Sequence, residues 1–302
     1  MRRQVSSLLA LVSLATLMGV SALAYWGMVV EPGRLVVRHV RVEPPGWPEA
    51  WNGLRIAALA DIHAGSPHVD AAKLGELVDV VNSEQPDLVV LLGDYVIRGV
   101  LGGHFIPPEV TAEKLAGLKA RLGVVAVLGN HDWWYDGNRV SRALNMAGIR
   151  VLENSAVRFE AQGQGLWIAG LADPWTRTPQ IDRTLERIPQ GEAVIMLSHN
   201  PDVFPDIPTR VGLTLAGHTH GGQVVLPVLG RLVVPSRFGQ RYAAGLIEED
   251  GHDLFVSSGI GTSILPVRIG APPEVSVLTA VTGRSSDPST PGGRTLAGMG
   301  LR

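Results

Sequence analysis

The sequence predicts an α/β fold with a two-layered sheet core flanked by helices, and three observations carry that expectation. Five apolar runs each end on Asp, Asn or His. Residues 54–60 lead into Asp61-Ile62-His63, 87–92 into Gly93-Asp94, and 124–128 into Gly129-Asn130-His131-Asp132. Residues 193–197 lead into Ser198-His199, and 213–216 into Gly217-His218-Thr219-His220. Apolar runs of this length, closed by glycine or polar residues, read as buried strands. Helical periodicity then alternates with these runs through the first two-thirds of the chain, whereas the last third is mostly strand. In open α/β sheets ligands bind beyond the carboxyl ends of the strands. Five polar deliveries at that boundary therefore mark one site.

The elements follow in order. Residues 43–51 carry Pro44, Pro45 and Pro48 and read as a lead-in rather than a helix. Leu74, Leu77, Val78 and Val81 recur at i, i+3, i+4 and i+7, with Asp70 placed as N-cap. Leu115, Leu118 and Leu122 mark a second helical face, and Val140, Ala143, Leu144 and Ala147 a third that ends at Gly148. Ile181, Leu185 and Ile188 mark a fourth, stopped by Pro189. Residues 156–160 and 166–169 flank Gly163-Gln164-Gly165 as a hairpin, and 244–249 with 253–257 flank Asp250-Gly251, a stronger hairpin signal. Residues 282–302 are rich in Gly, Ser, Pro and Thr, have little to bury and are expected to be disordered.

A formal net charge of −2 gives no reason to expect nucleic-acid binding through bulk charge. The chain has no cysteine, so any metal must be held by nitrogen and oxygen. No charged residue stands between Arg3 and Glu31, and residues 8–30 exceed the roughly 20 needed to span a bilayer core. Tyr25 and Trp26 suit the headgroup interface, and arginines before the span favour a cytoplasmic N-terminus with the remainder outside. The alternative is an exported protein cleaved near Ala24, since Ala22-Leu23-Ala24 resembles a signal-peptidase site; Arg2-Arg3 is a weak twin-arginine signal. The plan is thus a membrane segment at 1–31, a linker at 32–51, a folded domain at 52–281 and a tail at 282–302.

His, Asp and Asn converging without cysteine suit divalent ions such as Mn, Fe or Zn. Asp61-x-His63 and His218-x-His220 each place two side chains on one side of an extended chain. With Asp94, Asn130 and His199 they make seven candidate ligands. That is too many for one zinc-like site of three or four and suits two ions sharing a carboxylate. Two such ions roughly 3.5–4 Å apart can activate a bridging water for in-line displacement at phosphorus.

Asp61-x-His63, Gly93-Asp94, Gly129-Asn130-His131-Asp132, His199 and Gly217-His218-x-His220 resemble, in order, the five motifs of the calcineurin-like metallophosphoesterases. The resemblance runs from Asn52 to about Pro273 and implies a four-layer α-β-β-α sandwich. It implies one metal held by Asp61, His63 and His220 and another by Asn130, His199 and His218, with Asp94 bridging. His131 would face the scissile phosphate and leaving group, with Asp132 orienting it. Gly93-Asp94-Tyr95-Val96-Ile97-Arg98 resembles the Ser/Thr phosphoprotein phosphatases except at Ile97, and would put Arg98 on their phosphate-binding arginine. Asp132 in place of their Glu, and the close His218-x-His220 pair, depart from that arrangement, and Gly217-His218-Thr219-His220-Gly221-Gly222-Gln223 with the later Pro272-Pro273-Glu274 more closely resembles a bacterial envelope branch of phosphodiesterase type. Some related enzymes there act on nucleotide-linked lipid precursors. The implied activity is hydrolysis of a phosphodiester or pyrophosphate-type bond, with phosphomonoesterase as the alternative. A non-catalytic scaffold is a remote alternative, because every ligand and His131 are present.

Several residues have competing uses. Arg98 is a phosphate clamp or a solvated loop arginine, and Trp133-Trp134-Tyr135 is an apolar wall or ordinary packing. Arg268 would meet a substrate anion or pair with Glu274, and His39, His68, His104 and His252 read as solvent or linker histidines. No obligate protein partner is evident.

Overall fold

The N-terminal apolar stretch forms α1 (Arg2–Tyr25), which continues through a π-helical turn at Trp26–Val30 into α2 (Glu31–Gly33) in a computed structural model that describes residues 2–284. Ser6–Gly33 is long and apolar enough to cross a membrane, and its most apolar window buries nothing against the protein. Its far end is docked. The Arg268 amide donates to the Gly27 carbonyl (2.8 Å), the Ala271 amide to Glu31 (2.9 Å), and the Trp26 indole to Glu31 (2.7 Å).

The chain then alternates: β1 (Val36–Val42), β2 (Leu54–Leu59), α3 (Ala71–Ser83), β3 (Leu88–Leu91), α4 (Pro108–Leu115), β4 (Val124–Ala126), α5 (Asn130–Tyr135), α6 (Gly137–Met146) and β5 (Arg150–Val151). The second half contains β6 (Ser155–Ala161), β7 (Gln164–Gly170), α7 (Ile181–Glu186), β8 (Ala193–Leu197), β9 (Leu213–Ala216), β10 (Val225–Leu226), β11 (Gly230–Arg231), β12 (Gly245–Glu249), β13 (His252–Val256) and β14 (Glu274–Ala280). One six-stranded sheet has the order β1-β14-β2-β3-β4-β5, the other β12-β13-β9-β8-β7-β6, and β10-β11 is a separate hairpin. β2 to β5 run parallel, as do β7, β8, β9 and β13.

Strand side chains alternate between faces, and that period sorts the core into layers. Ile56, Ala58, Leu88, Val90, Val125 and Val127 point inward and meet Ile168, Ile195, Leu197, Leu213 and Leu215 of the second sheet. Ala57, Leu59, Val89 and Leu91 point outward under Leu74, Leu77, Val81, Leu115 and Leu144 of α3, α4 and α6. Val194 and Met196 face α7 on the far side, through Leu185. The fold is the four-layer sandwich expected. Asp70 caps α3 as predicted, accepting from the Lys73 amide (2.8 Å), and both hairpins form.

Some expectations are corrected. Residues 32–51 are not a linker: β1 pairs along its whole length with β14, while Trp47 and Trp51 are buried between the sheets. The prolines precede a short turn whose tryptophans carry the packing. The second helix lies earlier than its leucine spacing suggested, at Pro108–Leu115. Proline fits the first helical turn because its missing N–H is unpaired there anyway. Leu118 is buried just beyond that helix, and Leu122 packs against the other core, between the sheets. His252 is buried against Phe204, ring centroids 4.3 Å apart, because β13 is a wholly buried strand. Thr282 and Arg284 are tied down, by Glu49 (3.1 Å) and Asp253 (2.7 Å), and the rest of the tail lies outside the described residues.

Candidate metal centre

The carboxyl ends of β2, β3, β4, β8 and β9 converge at one crest, and each delivers its polar residue there. The turns are tight. A Cβ at Gly93 would lie 2.6 Å from the Gly129 amide nitrogen and 2.8 Å from His199 Nδ1, and one at Gly129 would overlap the Asp94 carboxylate. Only glycine lets these loops approach so closely. Asp61, His63, Asp94, Asn130, His199, His218 and His220 are all buried.

Their donor atoms face one another. His63 Nε2 lies 3.2 Å from His220 Nε2, and His218 Nδ1 lies 3.2 Å from His199 Nε2. Asn130 Oδ1 is 3.1 Å from His199 Nε2, and Asp61 Oδ1 is 3.6 Å from His220 Nε2. Asp94 Oδ2 is 3.6 Å from His63 Nε2 and 3.2 Å from His199 Nε2, while its Oδ1 accepts the His131 amide (2.8 Å). Three groups of side chains could each hold a cation: Asp61-His63-His220, His63-Asp94-His131 and Asp94-His199-His218. The Leu92 carbonyl accepts from His199 Nδ1 (2.7 Å), which fixes the tautomer and leaves Nε2 facing the cluster.

The donor set fits a divalent cation. His63 Nδ1, His218 Nε2 and His220 Nδ1 are buried without a hydrogen-bond partner in the protein. Burial holds His63 and His218 neutral, each with a pKa of about 3, and pushes His220 well below the ordinary histidine range. Burial opposes ionisation of Asp94, yet the neighbouring imidazoles hold its carboxyl well below the usual range. Burial also resists charge on His199, but Asp94 and then Asp61 lift it to about 10. His63, His218 and His220 are thus neutral imidazoles beside an ionised Asp94, the donors a hard-to-borderline metal ion binds, and His199 would join them on giving up its proton to the cation.

His131 stands at the rim, half-buried, with its ring edge-on to His63 (4.8 Å) and to Trp134 (4.8 Å). Burial lowers its pKa, while the charges of Asp94 and Asp173 oppose that shift. Asp132 does not orient its imidazole. The Asp132 carboxylate accepts the amides of Asp94 (2.8 Å), Tyr95 (2.9 Å) and Gly129 (2.9 Å), clamping two ligand loops together from below. α5 opens on Asn130, so its first-turn acid naturally faces the free amides of the helix start. Arg98 is not gathered into the cluster; it is exposed and lies over Phe105 (5.7 Å) and Tyr135 (5.4 Å). Arg268 meets neither proposed partner. Fully buried, it donates to the carbonyls of Ala271 (2.7 Å), Ser258 (3.0 Å) and Gly261 (2.6 Å), whereas Glu274 pairs with Arg38.

Two residues escaped sequence reasoning. Asp173 is buried beside the cluster, and Trp175 lies edge-on to His218 at 4.2 Å and 6.3 Å from Trp134. Both follow β7, a sixth apolar run with an acidic residue just beyond its carboxyl end, so the same boundary signal was present. Trp134 and Trp175, each at least half exposed, wall the open side of the crest, while Trp133 is covered by Arg177 at 4.2 Å.

Residues 54–229 match the family description of calcineurin-like phosphoesterases. The chain is 32% identical over 255 residues to the uncharacterized metallophosphoesterase YkuE of Bacillus subtilis, covering 83% of this chain and 87% of that protein. It is 30% identical over 237 residues to the phosphodiesterase YaeI of Escherichia coli (75% and 82% covered). It is 31% identical over 278 residues to a zebrafish (Danio rerio) transmembrane protein with a metallophosphoesterase domain, covering 85% of this chain and 60% of that protein. Among solved structures, the calcineurin-like phosphoesterase YfkN of Bacillus subtilis aligns with a TM-score of 0.47 at 15% identity, over 78% of this chain and 93% of that one. The chain therefore belongs to the calcineurin-like phosphoesterases, a family of hydrolases of phosphoesters that use divalent metals.

Proposed function

We propose that the protein is a phosphodiesterase working with two divalent ions. The observation that carries this is Asp94 Oδ2, one carboxylate oxygen 3.6 Å from His63 Nε2 and 3.2 Å from His199 Nε2, so that it reaches a histidine on each side of the cluster. On this reading Asp61, His63 and His220 hold one ion, Asn130, His199 and His218 the other, and Asp94 bridges. When bound, the ions activate a water and neutralise charge at phosphorus. The chain's own residues supply the rest. His131, on the open rim, donates the proton to the leaving oxygen; burial lowers its pKa, and the charges of Asp94 and Asp173 only partly offset that.

A diester carries one charge at neutral pH and a monoester close to two. The arginines that could offset the second charge are committed elsewhere: Arg98 over Phe105 and Tyr135, Arg177 over Trp133, and Arg268 on three carbonyls. Tryptophans line the open side instead, which suits an ester carrying a base or acyl moiety. The relative named a phosphodiesterase agrees. On the same reading residues 1–31 are a retained anchor and the domain faces away from the cytoplasm.

Assay of the metal-loaded protein on bis-p-nitrophenyl phosphate and on p-nitrophenyl phosphate decides the class. The diester is expected to turn over faster; the reverse would make the protein a monoesterase. A C-terminal alkaline phosphatase fusion is expected to be active, and activity only from a cytoplasmic reporter would reverse the topology.

A further inference from the structure

Leu101, Val228, Leu229, Val233, Ile264 and Leu265 are large apolar side chains, each more than half exposed, on three loops that leave strand carboxyl ends. The loops are joined. The Leu101 amide donates to the Ile264 carbonyl (3.3 Å), Gln223 bonds both Ser263 and Leu265, and the Val225 amide donates to Ile269 (2.7 Å). They also surround the end of the N-terminal helix. A Cβ at Gly27 would lie 2.8 Å from Ile269 and 3.2 Å from Val267, so the helix packs directly on this assembly. Leu265 is two residues from Val267, a chain reach of at most about 7 Å. Around that junction Trp26, Met28 and Val29 are themselves exposed apolar residues, continuous with the loops.

The hairpin tip adds a second, independent observation. Val228 is fully exposed and has φ of 70°, inside a three-residue turn closed by the Leu229 amide on the Pro227 carbonyl (2.8 Å). Water-exposed turns place Gly or Asn at positive φ, and a β-branched residue there is an outlier that asks for a use.

We infer that these loops form an apolar collar seated in the lipid surface that the N-terminal helix crosses, so that the crest takes phosphodiesters from the bilayer itself. The inference rests on the phosphodiesterase and anchor readings above and names their substrate class as a membrane-resident phosphodiester. The collar and the metal ligands share one face. Gly221, Gly222 and Gln223 lead from His220 toward β10, and the Arg231 guanidinium donates to the Gly221 carbonyl (3.1 Å). The bilayer is the occupant the fold favours, because the collar continues the exposed apolar surface of a helix long enough to span it.

The absence of cysteine makes the test clean. Single-cysteine variants of the full chain, Val228→Cys and Ile264→Cys, are labelled with an environment-sensitive fluorophore in phosphatidylcholine vesicles containing spin-labelled phosphatidylcholine. Leu9→Cys reports the anchor, and Met146→Cys, at the end of α6 away from the crest, reports water. Quenching at positions 228, 264 and 9 but not at 146 is expected. Quenching at 9 with positions 228 and 264 matching 146 would overturn the collar and leave the anchor standing. No quenching at any position would overturn both. Val228→Asp with Ile264→Asp should then slow hydrolysis of a long-chain alkyl p-nitrophenyl phosphodiester embedded in the vesicles by about tenfold or more, with bis-p-nitrophenyl phosphate unchanged within about twofold. Equal rates on the embedded diester would overturn the claim that substrate comes from the bilayer. Failure of the unmutated protein on both diesters, with quenching intact, would fault the activity reading and not the collar.

Discussion

Non-glycine residues adopt positive φ both at the crest and at the collar, and the two regions stabilise that conformation differently. At the crest Asp61, His63, Asp94, His218 and His220 have φ of 50°, 45°, 60°, 70° and 52° and are all buried. Their backbones are cross-tied: Asp61 to the Gly93 carbonyl (3.0 Å), His63 to the Asp94 carbonyl (2.9 Å), and His218 to the Asp61 carboxylate (2.9 Å). At the collar Val228 has φ of 70°, fully exposed, on a two-residue-per-strand hairpin. Left-handed conformations cost about 1–2 kcal/mol per L-residue. The crest offsets that cost from inside the protein, and the exposed tip looks outward for its partner.

The largest effect should come from Asp94, whose one oxygen reaches His63 and His199. Asp94→Ala is expected to lower metal content and to cut turnover by more than the roughly 10²–10³-fold lost when one preorganised charge-stabilising group is removed. Elemental analysis finding two ions still bound at unchanged affinity would take Asp94 out of the bridge. His131→Ala should retain metal and fold and lose about 10²–10⁴-fold on an alkyl phosphodiester, with a much smaller loss on a p-nitrophenyl ester whose leaving group barely needs the proton. Equal losses would give His131 an electrostatic role.

Asp132→Ala tests how the crest is held. Four buried amides lose their acceptor, and at about 1–3 kcal/mol for each unsatisfied donor the loss should be roughly 4 kcal/mol or more, read by urea unfolding. Unchanged stability with lower kcat would return Asp132 to an orienting role. Val228→Gly is the smallest effect. It relieves positive φ but loosens the unfolded chain, and a net stabilisation below about 1 kcal/mol is expected in detergent. A loss of stability there would show that the tip is packed by the protein after all.

The strand ends were legible because each combines β-branched burial with an abrupt polar residue, a local signal. The candidate metal-binding side chains therefore fell together as a group. Asp132 was misread because its sequence position, one residue from His131, says nothing of direction; the start of α5 turns its carboxylate to the amides. β1 was missed because Val36-Val37-Arg38-His39-Val40-Arg41-Val42 carries two arginines and a histidine, the pattern of a half-exposed edge strand, and its partner lies at the other end of the chain. Trp175 was missed because it lies beyond Asp173 and Pro174, past a run read only as half a hairpin.

That distant pairing bears on how the protein comes into being. β1 follows the N-terminal apolar helix directly, yet its register, Val36 against Glu274 through Val42 against Ala280, is completed only by the last strand of the described residues. β14 also separates β1 from β2. Anchored by its first helix as proposed above, a nascent chain would expose an unpaired strand at the membrane until almost all of its length has emerged. Such long-range closure is slow and leaves an edge open to wrong partners. The arginines of β1, Arg38 and Arg41, are well placed to keep that waiting edge soluble, so the charge that disguised the strand in the sequence also serves to protect its assembly.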